Sequence, residues 1–257
     1  MLEYALVTGA SSGIGLEFAR LFAGKGVNLI LVARREEALV KLSEELTREF
    51  DIRVSIYSTD LSDVSNSNAV YQFCANNGLN VKYLVNNAGF GLAAPFFSIP
   101  LTNEVQMINL NVSSLVALTK LFGKDMVDRG EGKILNVAST AAFQPGPNWA
   151  VYFATKAFVL SFSQALWAEL RGTGVTLTTL CPGPTSSEFG AVSGGDKLAF
   201  FDSRLPNAKQ VALFGFKSMM RGKRLAIHGF KNKFTSLVLV PITPRELLLR
   251  VLLWMLK

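Results

Sequence analysis

Residues 6–15 read Leu6-Val7-Thr8-Gly9-Ala10-Ser11-Ser12-Gly13-Ile14-Gly15, and they separate an apolar run from a helical pattern near the start of the chain. Glycines at such a junction allow a tight turn and let the backbone come close to a bound pyrophosphate. The helix that follows offers free amide N–H groups and the positive end of its dipole to an anion. The stretch therefore favours a nucleotide-binding turn over a purely structural one.

Short apolar segments alternate with helical patterns along the 257-residue chain. Strands are predicted at 5–8, 28–33, 53–58, 83–86, 133–138 and 175–181, with a seventh at 224–228. Helices are predicted at 13–24, 36–50, 64–77, 103–129 and 151–171. This alternation is typical of a parallel sheet with helices on both faces. We therefore predict an α/β protein with a doubly wound Rossmann fold and a mostly seven-stranded parallel sheet.

The chain shows no linker and no internal repeat, and 49% of its residues are hydrophobic. A single domain over 1–257 is therefore expected. Cys74 and Cys181 lie in apolar contexts without disulfide or metal-ligand spacing, and His228 is the only histidine. We expect no metal site and a reducing compartment. Without a secretory signal or a run of about 18 uncharged apolar residues, the chain is expected to be cytoplasmic and to lack a spanning helix.

The end of the second predicted strand carries Ala33, followed by Arg34 and Arg35. Folds that bind NAD(H) place an acidic residue near this strand end, where it contacts the ribose 2′-hydroxyl. A carboxylate would repel a 2′-phosphate, whereas the Arg34 guanidinium binds one in a forked geometry. The sequence therefore favours NADP(H) over NAD(H), although both arginines also suit a solvated helix start.

Tyr152 and Lys156 lie four residues apart on a predicted helix and so share one face. A free tyrosine has a pKa near 10, which is too high for efficient proton transfer near neutrality. A neighbouring ammonium favours the phenolate, so we expect Lys156 to lower the pKa of Tyr152. Taken alone, such a pair is common on helices and carries no functional meaning.

Several motifs occur together in an order and spacing that resemble the short-chain dehydrogenase/reductase family. They are the stretch 8–15, Asn86-Asn87-Ala88-Gly89, Ser139 thirteen residues before Tyr152, and Pro182-Gly183. The resemblance covers residues 1–190 and implies that they form the cofactor-binding and catalytic core of an oxidoreductase. It also implies a substrate lid at 186–206, a region that here contains Phe189, Gly190, Gly194, Gly195, Phe200 and Phe201.

The resemblance implies roles for four catalytic residues. Tyr152 is the general acid/base at the carbonyl oxygen, and Lys156 lowers its pKa and holds the nicotinamide ribose. Ser139 hydrogen-bonds the substrate oxygen. Asn111 matches a helix asparagine that holds a water in a proton relay, with Asn109 as the competing assignment.

The resemblance also implies a site for NADP(H). Ser114 departs from the family pattern, which often has glycine there, and this puts the local helix packing in doubt. Asp60 also suits a turn or a helix cap, and Pro182-Gly183 a loop break. The implied cofactor-binding residues are Gly9, Ser11, Ser12, Gly13, Ile14 and Gly15 at the pyrophosphate, Arg34 at the 2′-phosphate, Asp60 and Leu61 at the adenine, Asn87, Ala88 and Gly89 beside the adenosine, and Tyr152, Lys156, Pro182, Gly183 and Thr185 at the nicotinamide end.

The basic charge of the chain is concentrated near its C-terminus. Residues 1–189 carry 14 Lys/Arg and 16 Asp/Glu, a net charge of −2, whereas residues 190–257 carry 12 and 3, a net charge of +9. The basic, apolar extension at 207–257 suits peripheral contact with an anionic membrane through 214–257. Packing against the domain or an oligomer interface is the competing interpretation. No recognition motif accompanies the charge, so nucleic-acid binding is not expected.

These observations predict an NADPH-dependent oxidoreductase that transfers a hydride between nicotinamide and a ketone, aldehyde or secondary alcohol. The apolar extension favours a hydrophobic or acyl-type carbonyl substrate, and the resemblance implies a homodimer or homotetramer. The alternative is a catalytically inactive NADP(H)-sensing protein, which the intact set of Ser139, Tyr152 and Lys156 disfavours. An epimerase or dehydratase is disfavoured because the chain has no larger C-terminal sugar-binding domain.

Overall fold

Seven parallel strands form one sheet in the computed structural model, which describes residues 2–194 and 205–255. The strand order is β3-β2-β1-β4-β5-β6-β7, so the order reverses beside β1 and opens a crevice at the carboxyl ends of the strands. The predicted seven-stranded parallel sheet is confirmed. The strands are β1 (Glu3–Thr8), β2 (Asn28–Ala33), β3 (Val54–Ser58), β4 (Asn80–Asn86), β5 (Gly132–Val137), β6 (Val175–Cys181) and β7 (Leu225–Ile227).

Helices cover both faces of this sheet, as the alternating pattern predicted. Short 3₁₀ turns lie at Phe96–Ser98 and Thr140–Phe143, and π-helical segments at Asn109–Ser114 and Thr235–Leu239. The α-helices within the described ranges are α1 (Gly13–Ala23), α2 (Glu36–Glu49), α3 (Ser65–Asn76), α4 (Leu101–Ile108), α5 (Leu115–Arg129), α6 (Ala150–Glu169), α7 (Phe189–Ser193), α8 (Ala208–Met220), α9 (Phe230–Phe234), α10 (Val240–Ile242) and α11 (Arg245–Met255).

The helix predicted at 103–129 runs from Leu101 to Arg129, with the π-helical segment Asn109–Ser114 in its middle. By length and composition alone, this helix is apolar enough to cross a membrane. Its residues Leu118, Phe122 and Met126 are buried against the sheet, however, so this part of its apolar surface belongs to the protein core. A core helix meets the same compositional test.

Two apolar clusters lie on opposite faces of the sheet. In one, Phe22 of α1 contacts Phe216 of α8 edge to face, with ring centroids 5.0 Å apart. In the other, Phe122 of α5 packs with side chains from the central strands. Because successive strand residues point to opposite faces, Val7 enters the first cluster and Leu6 the second. Burial on both faces explains why the strands read as continuous apolar runs.

Thr8 fixes the glycine-rich turn to the end of β4. Its Oγ1 accepts hydrogen bonds from the backbone N–H groups of Asn87 and Ala88, each at 3.0 Å. Nδ2 of Asn87 donates in return to the carbonyl oxygen of Thr8 at 3.0 Å. Gly9 has a φ of +66°, and a Cβ at this position would lie 2.8 Å from Nδ2 of Asn87. Both the backbone conformation and the close packing therefore require glycine here.

We expect Gly9→Ala to lower the free energy of unfolding by about 3 kcal/mol, since left-handed strain and displacement of Asn87 both contribute. Gly26→Ala is the matched control, because Gly26 has a φ of +70° but its added Cβ would meet no atom within 4 Å. Gly26→Ala should lower the free energy of unfolding only by the left-handed strain, about 1 kcal/mol. Chemical denaturation measures both values, and equal losses would contradict the packing role of Gly9.

Candidate functional site

A cavity of about 700 Å³ lies at the carboxyl ends of the strands. It is lined by segments that follow β1 to β6, and the glycine-rich turn and the catalytic candidates share it. Gly15 and Asn111 do not line it. The predicted site residues on its wall are Gly9, Ser11, Ser12, Gly13, Ile14, Arg34, Asp60, Leu61, Asn87, Ala88, Gly89, Ser139, Tyr152, Lys156, Pro182, Gly183 and Thr185.

The start of α1 provides an anion site at one end of this cavity. Ser12 is the N-cap residue, but its side chain makes no capping hydrogen bond to the first turn of the helix. The backbone N–H groups of the first turn have no intrahelical acceptors, so a bound anion can accept hydrogen bonds from them. This arrangement fits the pyrophosphate of a dinucleotide. The geometry of the turn is therefore compatible with the anion binding that the sequence predicts.

Arg34 and Arg35 take different partners beside this turn. Nη1 of Arg34 lies 3.7 Å from Oδ2 of Asp60, and both side chains are well exposed at the cavity wall. Nη2 of Arg35 donates to Glu188 at 2.8 Å and to Oγ of Ser11 at 3.3 Å. The Arg35 guanidinium holds the pKa of the Glu188 carboxyl below its usual value. Arg35 and Glu188 are site residues that the sequence reasoning did not identify.

Asp60 also has a local structural contact, as the competing interpretation predicted. Its Oδ1 accepts a hydrogen bond from the backbone N–H of Ser62 at 2.9 Å, which closes a turn after β3. The other carboxylate oxygen faces Arg34. Asp60 therefore combines a turn with a position on the cavity wall.

Ser139, Tyr152 and Lys156 meet at the other end of the cavity. Ser139 follows β5, and its Oγ accepts a hydrogen bond from the backbone N–H of Ala141 at 3.1 Å. Tyr152 and Lys156 lie on successive turns of α6, and Nζ of Lys156 is 5.8 Å from the centroid of the Tyr152 ring. The ammonium donates to the carbonyl oxygen of Val137 at 3.0 Å. The sheet and α6 together thus hold all three side chains.

Burial controls the protonation of this pair. It raises the pKa of Tyr152 to about 12, against a smaller lowering by a side-chain hydrogen bond with Ser139. It lowers the pKa of Lys156 to about 8. The expected lowering of the Tyr152 pKa by Lys156 is therefore not met in this structure, because loss of solvent disfavours the charged form of each group. Near neutrality the phenol is protonated and the amine is mostly charged.

Asn111 lies behind the catalytic wall, in the π-helical segment. Its Nδ2 donates to the carbonyl oxygen of Phe90 at 2.9 Å and to Oγ1 of Thr155 at 3.1 Å, and its Oδ1 accepts from the N–H of Phe90. Asn111 is buried, whereas the competing Asn109 is only partly buried. A Cβ on Gly89 would lie 2.8 Å from Oδ1 of Asn111 and 3.4 Å from Nζ of Lys156. The geometry thus favours Asn111 over Asn109 as the residue near Lys156.

Gly15 and Ser114 support the site from behind. A Cβ on Gly15 would overlap the carbonyl oxygen of Gly9, so Gly15 allows α1 to pack against the turn. The buried Ser114 hydroxyl donates to the carbonyl oxygen of Leu61, a cavity residue. The departure from glycine at position 114 therefore adds an anchor and is accommodated in the helix.

The C-terminal roof, residues 230–255, covers the catalytic end of the cavity. Val240, Leu248 and Leu252 are buried in one cluster with Trp149 and Tyr152. The inner face of the roof thus packs against the domain. This packing is one of the two interpretations that the sequence left open. In the sequence, Leu248 and Leu252 lie four residues apart, and this helical spacing could have predicted the buried face. The roof residues on the cavity wall are Lys231, Asn232, Thr235, Ser236, Val240, Leu252 and Met255.

The predicted lid is described only in part. Phe189 and Val192 of this region line the cavity, and the Phe189 ring lies 5.4 Å from that of Tyr152. Gly190 is buried in α7, and Gly194 ends that helix in a left-handed conformation. Gly195, Phe200 and Phe201 lie outside the described residues.

Comparison with known proteins finds relatives among dehydrogenases and reductases. A family model described as short chain dehydrogenase matches residues 3–196. Sulfoacetaldehyde reductase 2 of Chromohalobacter salexigens is 40% identical over 202 residues, which cover 77% of this chain and 79% of that protein. The very-long-chain 3-oxoacyl-CoA reductase of Bos taurus is 34% identical over 184 residues, which cover 70% of this chain and 58% of that protein.

A solved structure of similar fold is a short-chain dehydrogenase from Sphingobium yanoikuyae in complex with NADPH. It has a TM-score of 0.81 and 29% sequence identity, over 90% of this chain and 89% of that one. The chain therefore belongs to the short-chain dehydrogenase/reductase family, and it is an oxidoreductase that acts on carbonyl or alcohol groups with a nicotinamide cofactor.

Proposed function

We propose that this protein is an NADPH-dependent reductase of hydrophobic ketones or aldehydes, and that in reverse it oxidises secondary alcohols. The observation that carries the proposal is the convergence of Ser139, Tyr152 and Lys156 on a cavity that also contains the glycine-rich turn. An inactive NADP(H)-sensing protein, the competing candidate, would have no need for this set.

The cavity residues suit NADP(H) along their whole length. The uncapped start of α1 would hold the pyrophosphate, and Arg34 with Arg35 would hold the 2′-phosphate. Lys156, Pro182 and Thr185 would hold the nicotinamide end. When bound, the cofactor supplies the hydride, and the protein supplies orientation and electrostatics.

The catalytic side chains then act on the substrate oxygen. Ser139 donates a hydrogen bond that polarises the carbonyl, and Tyr152 gives its proton to the oxygen as negative charge develops there. With a pKa of about 12, the resting phenol is in the protonated form that reduction requires. The Lys156 ammonium favours the phenolate that remains. Asn111 lies near Lys156 and is hydrogen-bonded to Phe90 and Thr155. It is proposed to hold the water of a relay that returns a proton to Tyr152.

The substrate end of the cavity supports a hydrophobic or acyl-type carbonyl. Phe90, Trp149, Phe153, Val240 and Leu252 make its wall apolar. Of the substrates named in its two relatives, an oxoacyl chain matches this wall better than a small sulfonated aldehyde.

The proposed function also includes how the chain assembles and where it works. We propose that 1–257 works as a single domain and assembles as a homodimer or homotetramer in the cytoplasm. The exposed apolar residues Leu101, Val105 and Ile108 of α4 and Phe158 of α6 support an interface between copies. Residues 214–257 are proposed to contact a membrane peripherally.

Replacing the catalytic phenol tests the proposed activity directly. We expect Tyr152→Phe to lower kcat by at least about 10³-fold, since it removes the proton donor, and to leave NADPH binding largely intact. Carbonyl-dependent oxidation of NADPH, followed by absorbance over a carbonyl panel, measures the rate. Tyr57→Phe, which removes a phenol hydroxyl from a tyrosine that does not line the cavity, is the control and should keep normal turnover. Near-normal turnover by the Tyr152 variant, or no turnover of any carbonyl by the unmodified protein, would contradict the proposal.

The preference for NADPH tests the role assigned to Arg34. Loss of a charged hydrogen bond to the 2′-phosphate should raise the KM for NADPH about tenfold to 100-fold in Arg34→Ala, with little change for NADH. Lys41→Ala, which removes an exposed cation from the neighbouring α2, should change neither constant. Equal use of NADH and NADPH by the unmodified protein would count against this assignment.

The depressed pKa of Lys156 predicts how reduction depends on pH. Lys156 is charged below about pH 8 and loses its proton above it, while Tyr152 stays protonated to about pH 12. We therefore expect kcat/KM for reduction to fall about tenfold per pH unit above pH 8. In Lys156→Arg this fall should vanish, because guanidinium stays charged, although the absolute rate is lower. A flat profile for the unmodified protein up to pH 10 would overturn the assignment.

A further inference from the structure

The outer face of the C-terminal roof is apolar and exposed. Within the described residues 23 large hydrophobic side chains are exposed, and twelve of them lie in the 26 residues of the roof. Such a concentration marks an interaction surface, because exposed apolar residues are normally scattered. The twelve are Phe230, Phe234, Leu237, Val238, Leu239, Ile242, Leu247, Leu249, Val251, Leu253, Trp254 and Met255.

Helix α11 is apolar on almost every side. Only Leu248 and Leu252 are buried, whereas the indole of Trp254 is 79% exposed. A helix that is hydrophobic all round normally lies in an apolar environment, either a protein core or a bilayer. Its 11 residues span about 16 Å, which is too short to cross a hydrocarbon core of about 30 Å. The helix therefore suits the interfacial region of a bilayer.

The charges of the roof identify the kind of surface that it fits. Lys231, Lys233, Arg245 and Arg250 stand against a single acid, Glu246. Two copies of this surface facing one another would bring like charges together as their apolar faces are buried. Anionic lipid headgroups would instead neutralise the basic side chains while the apolar ones enter the acyl boundary.

The same helix forms part of the catalytic cavity. Leu252 and Met255 line it, and Leu252 packs in one cluster with Tyr152. Leu253 and Trp254, adjacent in sequence, are exposed on the outside. A backbone break at Thr243 and Pro244 separates α11 from the helix before it. One short helix thus has the active site on its inner side and an apolar, basic surface on its outer side.

We propose that the C-terminal roof binds the surface of an anionic membrane and that lipophilic carbonyl substrates reach Tyr152 from the bilayer, past α11. This inference rests on the proposed carbonyl reduction and adds the source of the substrate. Contact of the roof with lipid places the cavity against the acyl region. A hydrophobic substrate can then enter without crossing water, whereas a small water-soluble carbonyl gains nothing from the membrane.

Sedimentation with vesicles tests the binding surface in the full chain. The unmodified protein should bind phosphatidylglycerol vesicles and bind phosphatidylcholine vesicles much more weakly. Lys233→Gln/Arg250→Gln should reduce the partition coefficient about 25-fold, since each basic residue near an anionic surface contributes about fivefold. Lys25→Gln/Lys41→Gln, which removes two exposed charges elsewhere, should bind normally. Absence of binding to the anionic vesicles would overturn the proposal.

Initial rates test the route of the substrate. Vesicles take up a long-chain methyl ketone and so lower its concentration in water. The reduction rate of an enzyme that does not bind the vesicles therefore falls. For the unmodified protein we expect phosphatidylglycerol vesicles to raise kcat/KM for this ketone at least about fivefold, and to leave that for 2-butanone unchanged. In Leu253→Ser/Trp254→Ser the vesicles should lower the rate with the long ketone. Phe96→Ser/Phe97→Ser, which alters two exposed apolar residues elsewhere, should behave like the unmodified protein.

The outcomes separate this inference from the proposed function. If neither ketone nor any other carbonyl is reduced, the proposed function fails, while vesicle binding still reports on the roof. If both ketones are reduced but vesicles inhibit the long one, the bilayer route is wrong. If Leu253→Ser/Trp254→Ser changes the oligomeric state in light scattering and leaves vesicle binding intact, the roof is an interface between copies and the proposal is overturned.

Discussion

Buried amide side chains connect the strands that bear the site to the helices that complete it. Nδ2 of Asn86 on β4 donates to Oδ1 of Asn136 on β5 and to Oγ1 of Thr119 on α5, each at 2.9 Å. Nδ2 of Asn136 donates to Oγ of Ser163 on α6 at 3.0 Å. Because an unpaired buried amide N–H costs free energy, these three hydrogen bonds favour the observed placement of the elements, and among the described residues only Oδ1 of Asn86 in this network lacks a partner. Ser163 lies two helical turns after Lys156, so the network also sets the position of the catalytic helix.

Within that framework, the site combines a buried phenol with a buried amine, and burial acts on them in opposite directions. The neutral phenol of Tyr152 is favoured, and the charged form of Lys156 is disfavoured. A fixed, poorly solvated environment also strengthens each hydrogen bond to the substrate oxygen. The ammonium of Lys156 donates a hydrogen bond to the carbonyl oxygen of Val137, and with a pKa of about 8 Lys156 is mostly charged near neutrality.

The C-terminal roof joins substrate binding to the surface of the protein. Its inner residues complete an apolar wall around Tyr152, whereas its outer residues are apolar and basic. Only two leucines anchor α11, so most of its circumference is exposed.

Much of the fold followed from local pattern. The strands and their order in the chain, the turn at Gly9, and the pair Tyr152 and Lys156 could be read from the sequence because apolar periodicity and glycine chemistry act over a few residues. The placement of Asn111 also came from a motif. The sequence also predicted β7, one residue longer at each end than it is, but not the π-helical segment, which depends on contacts with other parts of the chain.

The sequence by itself determined a doubly wound α/β protein with a glycine-rich turn and a Ser-Tyr-Lys set, since these depend on residue type and short spacing. Tertiary structure decided the rest. It paired Arg35 with Glu188 across 153 residues of chain, and it placed Gly15 and Asn111 behind the cavity wall. It also reversed the expected shift in the pKa of Tyr152 and brought the C-terminal roof over the active site. These outcomes depend on burial and long-range packing, and neither is defined until the whole chain has folded.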